Sequence, residues 1–205
     1  MARPRFAKLP AEQQQAIVRA ARDEFAGRGF HDASLNRVIE AAGISKGSMY
    51  YYFDGKEDLY AYIVRTELEQ LFAHLGPFHV PDDKTADGYW STLEDYYLRL
   101  MTALTATPEL AAMIRGLLAA STTPVLAQAQ ADLTQAVLPW LEQAVANGQR
   151  AGAIRTDVPS DLLISVVMGM GQAMDVWLMT SKPAEDELPR LVSVLIGMMR
   201  GAAQP

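Results

Sequence analysis

No cysteine occurs anywhere in the 205 residues. A disulfide framework and a thiolate metal site are therefore both excluded. Histidine is almost as scarce. His31, His74 and His79 are scattered, with no pair at helical ligand spacing, so neither a metal nor another cofactor is expected. Strand-like alternation of apolar and polar residues is missing, and so is any internal repeat. No apolar run follows Arg3, Arg5 and Lys8 that would make a signal peptide of the N-terminus. The most apolar stretch, Leu162 to Met179, just reaches membrane-spanning length. Gln172 and Asp175 interrupt it and it lacks basic or aromatic flanks at both ends, so it reads as a buried helix of a cytoplasmic protein.

What the chain has in quantity is apolar substance. Half of its residues are hydrophobic, enough for one large core or two modest ones. Charge is unevenly placed. Residues 1 to 60 carry nine Lys/Arg against eight Asp/Glu, whereas residues 61 to 205 carry nine against sixteen, for a net charge of −6. An acidic body with a basic leading end would meet a polyanion with its N-terminal part.

Helical punctuation divides the chain. Pro10 to Arg28 reads as a first helix, with Ile17, Ala20, Ala21 and Phe25 at helical spacing and Gly29 as its stop. Ser34 is placed to cap a short second helix, in which Leu35, Val38, Ile39 and Ala42 share one face. Gly43 ends it, and Ser45 caps a third helix with Met49 and Phe53 as its inward pair. Asp54 and Glu57 resemble a capping box opening a fourth helix through Leu71. Residues 74 to 88, "HLGPFHVPDDKTADG", break the pattern. Further helices are expected near 89–106, 109–120, 123–148, 160–181 and 186–202, with Pro139 kinking the third of these. The expected fold is all-α. An N-terminal three-helix helix-turn-helix DNA-binding domain, residues 1–55, precedes a larger helical ligand-binding and dimerisation domain, residues 56–205.

Residues 35 to 53 have the proportions of a helix-turn-helix, a unit that lays its second helix in the major groove of DNA. In "AAGISKGSMYYYFDGKEDLY", residues 41 to 60, three adjacent tyrosines cannot share one core, because neighbouring helical residues point about 100° apart. With Met49 and Phe53 inward, the outward set is Lys46, Gly47, Ser48, Tyr50, Tyr51 and an edge of Tyr52. Lysine in the first turn reaches phosphate or a guanine edge, and glycine lets the backbone approach the duplex. Tyrosine hydroxyls donate to phosphate while their rings lie against thymine methyls. Lys56, at the start of the next helix, is placed for a further phosphate contact. The competing reading is that the tyrosines cover a domain interface and Lys46 is only solvated.

The run "SKGSMYYYFDGKEDL" resembles the recognition segment of the TetR (tetracycline-repressor) family of transcriptional regulators. The similarity extends back through "AARDEFAGRGFHDASLNRVIEAAGIS", over about fifty residues. The plan of three N-terminal helices and a divergent helical remainder is similar too, and "NGQRAGAIRTDVP" looks like the connection before the last two helices of such proteins. The resemblance implies that Ser34 touches phosphate and that Ser45, Lys46, Gly47, Ser48, Tyr50 and Tyr51 form the groove-facing surface. Tyr52 stands where the family often has histidine, and Lys56 is the phosphate anchor of the fourth helix. Two positions depart from the pattern. Ile39 occupies a slot commonly held by alanine, and Arg37 stands where a carboxylate or neutral residue is frequent and could add a backbone contact.

The resemblance also implies a homodimer formed through the last two helices. Independently, "DLLISVVMGMGQAMDVWLM" and "LPRLVSVLIGMMRGA" are apolar on more than one face, which calls for a second buried face. Gly169, Gly171 and Gly197 would permit close helix approach, with Leu191, Leu195 and Met198 beside them; the alternative is two central helices of a monomeric core. In the family, a small molecule entering the rear domain usually releases DNA. The candidate lining of an adaptable, largely apolar pocket is Trp90, Tyr97, Met101, Met113, Leu117, Trp140, Met168, Gln172 and Trp177. Asp175 needs a partner within its apolar helix, either an arginine across the dimer or a cationic ligand. The expected partners are thus double-stranded DNA, a small-molecule effector and a second copy of the chain, with the protein most readily a repressor. An all-helical enzyme or small-molecule-binding protein is the alternative. No acid–base pair, nucleophile elbow or phosphate loop supports it, "GMGQAM" following no strand.

Overall fold

The computed structural model describes residues 4–76, 85–119 and 123–205. Arg3, residues 77–84 of the expected break with His79, and the junction at 120–122 lie outside the described residues. Among those described the chain is all-α, without strands. A short 3-10 turn, Phe6–Lys8, leads into nine helices: α1 (Ala11–Asp32), α2 (Leu35–Ala41), α3 (Lys46–Tyr52), α4 (Lys56–Leu75), α5 (Ala86–Thr105), α6 (Pro108–Ala119), α7 (Pro124–Arg150), α8 (Ser160–Ser181) and α9 (Leu188–Ala203).

The helices fall into two compact units, Met1–Leu71 with Thr107–Leu133, and Phe72–Ala106 with Thr134–Pro205. This division follows packing and differs from a boundary after residue 55, because most of α4, all of α6 and the start of α7 join the first unit.

In the first unit α1 packs on α2 and on α6. Ile17, Ala21 and Phe25 recur every fourth residue along α1 and are buried. Gly29 ends the first regular stretch of the helix, as expected. The backbone breaks there, with φ +70° and ψ 169°, and one more helical turn carries Phe30 inward before Ala33 closes it. The rings of Phe25 and Phe30 stand 4.9 and 5.0 Å from that of Tyr60 on α4. The Tyr60 hydroxyl donates to the Met113 carbonyl on α6 at 2.6 Å. Burial holds that phenol well above its ordinary ionisation range. A Cβ added at Gly116 would lie 2.5 Å from the same hydroxyl, so α6 fits against α4 only with glycine there.

In the second unit α5 packs on α8 and α9, and those two pack on each other. Thr85 caps α5 by accepting from the Gly88 N–H at 3.1 Å. Tyr89 donates to the Ala144 carbonyl of α7 at 3.1 Å, and burial pushes its phenol up to about 12. Pro139 lies inside α7 without interrupting it. The connection before α8 is tied down by Arg155 N–H donating to the Ala203 carbonyl at 2.8 Å. Arg200 of α9 pairs with Asp87 of α5 at 2.7 Å.

Candidate nucleic-acid interface

The helix-turn-helix is built as its residues require. At the end of α2 the Ala42 and Gly43 N–H groups donate to the carbonyls of Val38 and Glu40. Gly43 then takes φ +64°, a conformation that L side chains resist. Ile44 returns its N–H to the Ile39 carbonyl at 3.2 Å, and Ser45 accepts from the Ser48 N–H at 3.0 Å. The Ser45 and Ser48 hydroxyls are themselves 2.8 Å apart, so one hydrogen bond joins them. Met49 and Phe53 are fully buried and fix the rotation of α3.

That rotation sorts the three tyrosines. At about 100° per residue, Lys46, Gly47, Tyr50 and Tyr51 span one arc of α3 opposite Met49. All four are exposed, Tyr50 at 46% and Tyr51 at 48%. Tyr52 turns to the other side and is half-buried, its ring 6.0 Å edge-on from Phe6. Gly47 has no internal reason to be glycine. Its φ lies outside the left-handed region, and an added Cβ would meet only the Ser45 hydroxyl, at 3.7 Å.

Two other expected contact residues, Arg37 and Lys56, are engaged within the chain by their side chains, and Ser34 by its backbone. The Ser34 hydroxyl makes no cap; instead the Glu24 carboxylate accepts from the Ser34 N–H at 2.8 Å. Arg37 is pinned by the same carboxylate, donating at 2.8 Å, and by the Asp32 carbonyl at 2.8 Å. The Arg37 hydrogen bond, with help from the Ser34 N–H, holds the Glu24 carboxyl below its usual range. Lys56 donates to the carbonyls of His31 and Ala33 at 3.0 and 3.2 Å and lies 4.7 Å from the centre of the Phe30 ring. It therefore closes the end of α1, with one of its three N–H donors beyond those two bonds. At the start of α4 it is Asp58, not Glu57, that reaches back, accepting from the Asp54 N–H at 3.0 Å.

Phe6 was invisible to periodicity. It is 2% exposed and its ring stands 4.9 Å from Phe53 and 5.2 Å from Tyr62. Its only sequence signal is a lone aromatic in a basic leader, "RPRFAKLP".

The expected pocket lining is divided between the two units. Met113 and Leu117 belong to the buried core of the first unit. In the second unit Trp90 and Met101 are buried, Trp140 is half-buried with its ring 5.8 Å from Tyr96, and Met168 is half-buried. Gln172 and Trp177 are exposed on α8, Trp177 at 48%. Asp175 has a partner within its own chain. The Tyr97 hydroxyl donates to it at 2.7 Å. Burial pushes the Asp175 carboxyl up to about 6, against the opposing pull of that hydrogen bond. A shallow depression of about 410 Å³ lies beside this region, lined by Thr92, Asp95, Tyr96, Leu98 and Arg99.

The outer faces of α8 and α9 are apolar and uncovered within one chain. Leu162, Val166 and Trp177 are exposed on α8, and Val194 and Met198 on α9, where Leu191 and Leu195 are half-buried. Added Cβ atoms at Gly169, Gly171 and Gly197 would meet nothing within 4 Å.

Residues 17–63 match the family described as bacterial regulatory proteins, tetR family. The HTH-type transcriptional regulator RutR of Escherichia coli (strain K12) is 41% identical over 66 residues, 32% of this chain and 31% of that protein. The chain thus spans about a third of the length of such curated relatives. The HTH-type transcriptional regulator UidR of the same strain is 25% identical over 160 residues, 75% of this chain and 77% of its own. Among solved structures, the transcriptional regulator FadR from Bacillus subtilis, in complex with stearoyl-CoA, superposes with a TM-score of 0.70 at 19% identity. That match covers 90% of this chain and 96% of FadR, and shows the common fold.

Proposed function

Since the chain belongs to the tetR family of bacterial regulatory proteins, we propose that it is a ligand-responsive transcriptional repressor that binds a palindromic operator as a homodimer. The observation that carries this reading is the outer arc of α3. It offers a cation, a side-chain-free backbone position and two phenols, and Gly47 fills no need of the fold itself. Lys46 and the phenols suit phosphate and base edges, and Gly47 suits close approach of the backbone to the groove. Ser45 and Ser48 complete the surface at the start of α3. Arg37 and Lys56 hold α1, α2 and α4 in register, with Lys56 retaining a donor for phosphate, and Ser34, placed by its backbone N–H, offers its hydroxyl to phosphate.

The dimer reading rests on the uncovered faces of α8 and α9. By length and composition α8 could cross a membrane. Its exposed stripe carries Ser165, Gly169 and Gln172 beside Leu162, Val166 and Trp177, which suits a helix partner better than lipid. Two copies joined there would present two α3 helices to half-sites about 34–36 Å apart. Trp177 moves from the ligand lining to this face, with Leu191, Leu195 and Met198. The functional boundary remains after residue 55. The effector is a small, largely apolar molecule received by the second unit near Trp90, Tyr97, Met101, Trp140 and Met168. That the FadR structure holds stearoyl-CoA supports a small-molecule effector. Occupancy would shift α4, whose residues belong to both units, and alter the spacing of the paired α3 helices. Such a protein works in the cytoplasm.

The test is a fluorescence-anisotropy titration with the DNA upstream of the chain's own gene, beside a scrambled duplex. Tight, salt-sensitive binding to the upstream fragment alone is expected. Absence of binding to either duplex at low salt would sink the regulator reading.

A further inference from the structure

The exposed arc of α3 is not the whole of the cationic surface. The Arg5 guanidinium lies over the Tyr51 ring, 4.5 Å from its centroid. Arg5 is exposed and stands directly before the 3-10 turn, where its carbonyl accepts from the Lys8 N–H at 3.2 Å. Its neighbour Phe6 is driven among Tyr52, Phe53 and Tyr62. Gln14 of α1 holds the far side of the turn, its side-chain amide donating to the carbonyls of Leu9 at 2.7 Å and Ala7 at 3.4 Å. The leader is thus fastened to the domain at three places, and the fastening delivers one guanidinium to one tyrosine of α3.

We propose that Arg5, seated on Tyr51, is a DNA-contacting residue that grips a backbone phosphate beside the groove occupied by α3. With its carbon over the ring and the side chain exposed, the guanidinium keeps N–H donors for a phosphate oxygen pair. The same contact, with the Tyr52 ring edge-on 5.4 Å away, holds the Tyr51 phenol. The charge pattern agrees, since this leader is the basic end of an otherwise acidic chain. A protein partner with acidic groups would suit the guanidinium alone. Lys46, Tyr50 and Tyr51 sharing its surface favour nucleic acid. The inference rests on the DNA-binding reading.

The experiment measures the slope of log affinity against log salt for the full chain, on the upstream duplex and on a scrambled duplex. Each phosphate contact contributes about 0.9 to that slope. Arg5→Ala is expected to lower it by about 0.9 per protomer on both duplexes, with unchanged circular dichroism and oligomer mass. Arg5→Gln, which keeps length without charge, should do the same, and Arg5→Lys should restore the slope. In a Tyr51→Ala background the Arg5→Ala change should shrink, because the seat is gone. Salt-sensitive binding by the unaltered chain with an unchanged slope in both neutral variants would overturn the Arg5 assignment alone. Loss of discrimination between duplexes without a slope change would mean that Arg5 acts only through Tyr51, which also overturns it. If the unaltered chain binds neither duplex, the DNA-binding reading falls and this contact falls with it.

Discussion

The outer arc of α3 and the outer faces of α8 and α9 both leave large apolar side chains in water, yet they are opposite kinds of surface. On α3, Tyr50 and Tyr51 carry hydroxyls and stand among Lys46, Ser45 and Arg5. On α8 and α9, Leu162, Val166, Trp177, Val194 and Met198 stand among glycines. Between Asp161 and Lys182 the one charge on α8 is Asp175, and it is turned toward Tyr97. A surface of phenols and cations keeps its polar groups satisfied by water until a polyanion arrives. An aliphatic surface has no such reserve and gains by meeting its like. The contrast teaches that exposure alone does not name a partner; the polar atoms mixed into the patch do.

The largest effect should come from spoiling the aliphatic surface. Trp177→Glu together with Met198→Glu should halve the mass measured by sedimentation. It should also weaken operator binding on the order of a hundredfold or more, since two tethered half-site contacts are lost as a pair. A dimer that survives both changes would remove α8 and α9 from the interface.

Spoiling the phenolic surface should act on DNA and leave assembly alone. Lys46→Ala or Tyr50→Ala is expected to cost about 1–3 kcal/mol of operator affinity. The melting temperature and dimer mass should stay unchanged, as for other exposed positions. If either variant instead melts markedly earlier, that residue belongs to the core and the contrast between the surfaces fails.

Asp175 sharpens the comparison by testing why α8 hides its charge. Its carboxyl is raised from 3.8 to about 6, so between those values the folded chain keeps a proton that the unfolded chain has released. The unfolding free energy therefore falls as pH rises from about 4 to about 6, and stays at the lower level above that. Asp175→Asn keeps an acceptor for Tyr97 and removes the cost of the buried charge. It should raise stability in urea by on the order of 1–3 kcal/mol at pH 7, with the gain fading toward pH 4. An equal gain at both pH values would mean that burial of charge is not its source.

The smallest effect is the most diagnostic in sign. Gly47→Ala should stabilise the chain by about 0.5–1 kcal/mol, since the site is helical, roomy and exposed. The same methyl should weaken DNA binding, a trade that a purely structural glycine could not show. Gly148 is the counterexample, because a Cβ there would lie 2.7 Å from Ile154 and 2.9 Å from Tyr89. Gly148→Ala should therefore destabilise by about 1–3 kcal/mol, read from the urea midpoint.

Much of the fold was legible because helices announce themselves locally. The turn at Gly43, the Ser45 cap, the inward pair of Met49 and Phe53, and the exposure of Lys46, Gly47, Tyr50 and Tyr51 all follow from spacing within a dozen residues. The less legible parts each involve a side chain whose companion is distant in sequence. Lys56 finds the carbonyls of His31 and Ala33, Arg37 finds Glu24, and Asp175 finds Tyr97.

By itself, then, the sequence determined an all-α chain, the limits of most of its helices, and which residues share a face. Period and punctuation are properties of the local backbone. Only the tertiary structure decided what each face meets. It sent Met113 and Leu117 to the first unit's core, turned Trp177 outward, and drove Phe6 between Phe53 and Tyr62, leaving Arg5 on Tyr51. An apolar stripe specifies that something must cover it, but which surface does so is settled by the packing of elements far apart in the chain.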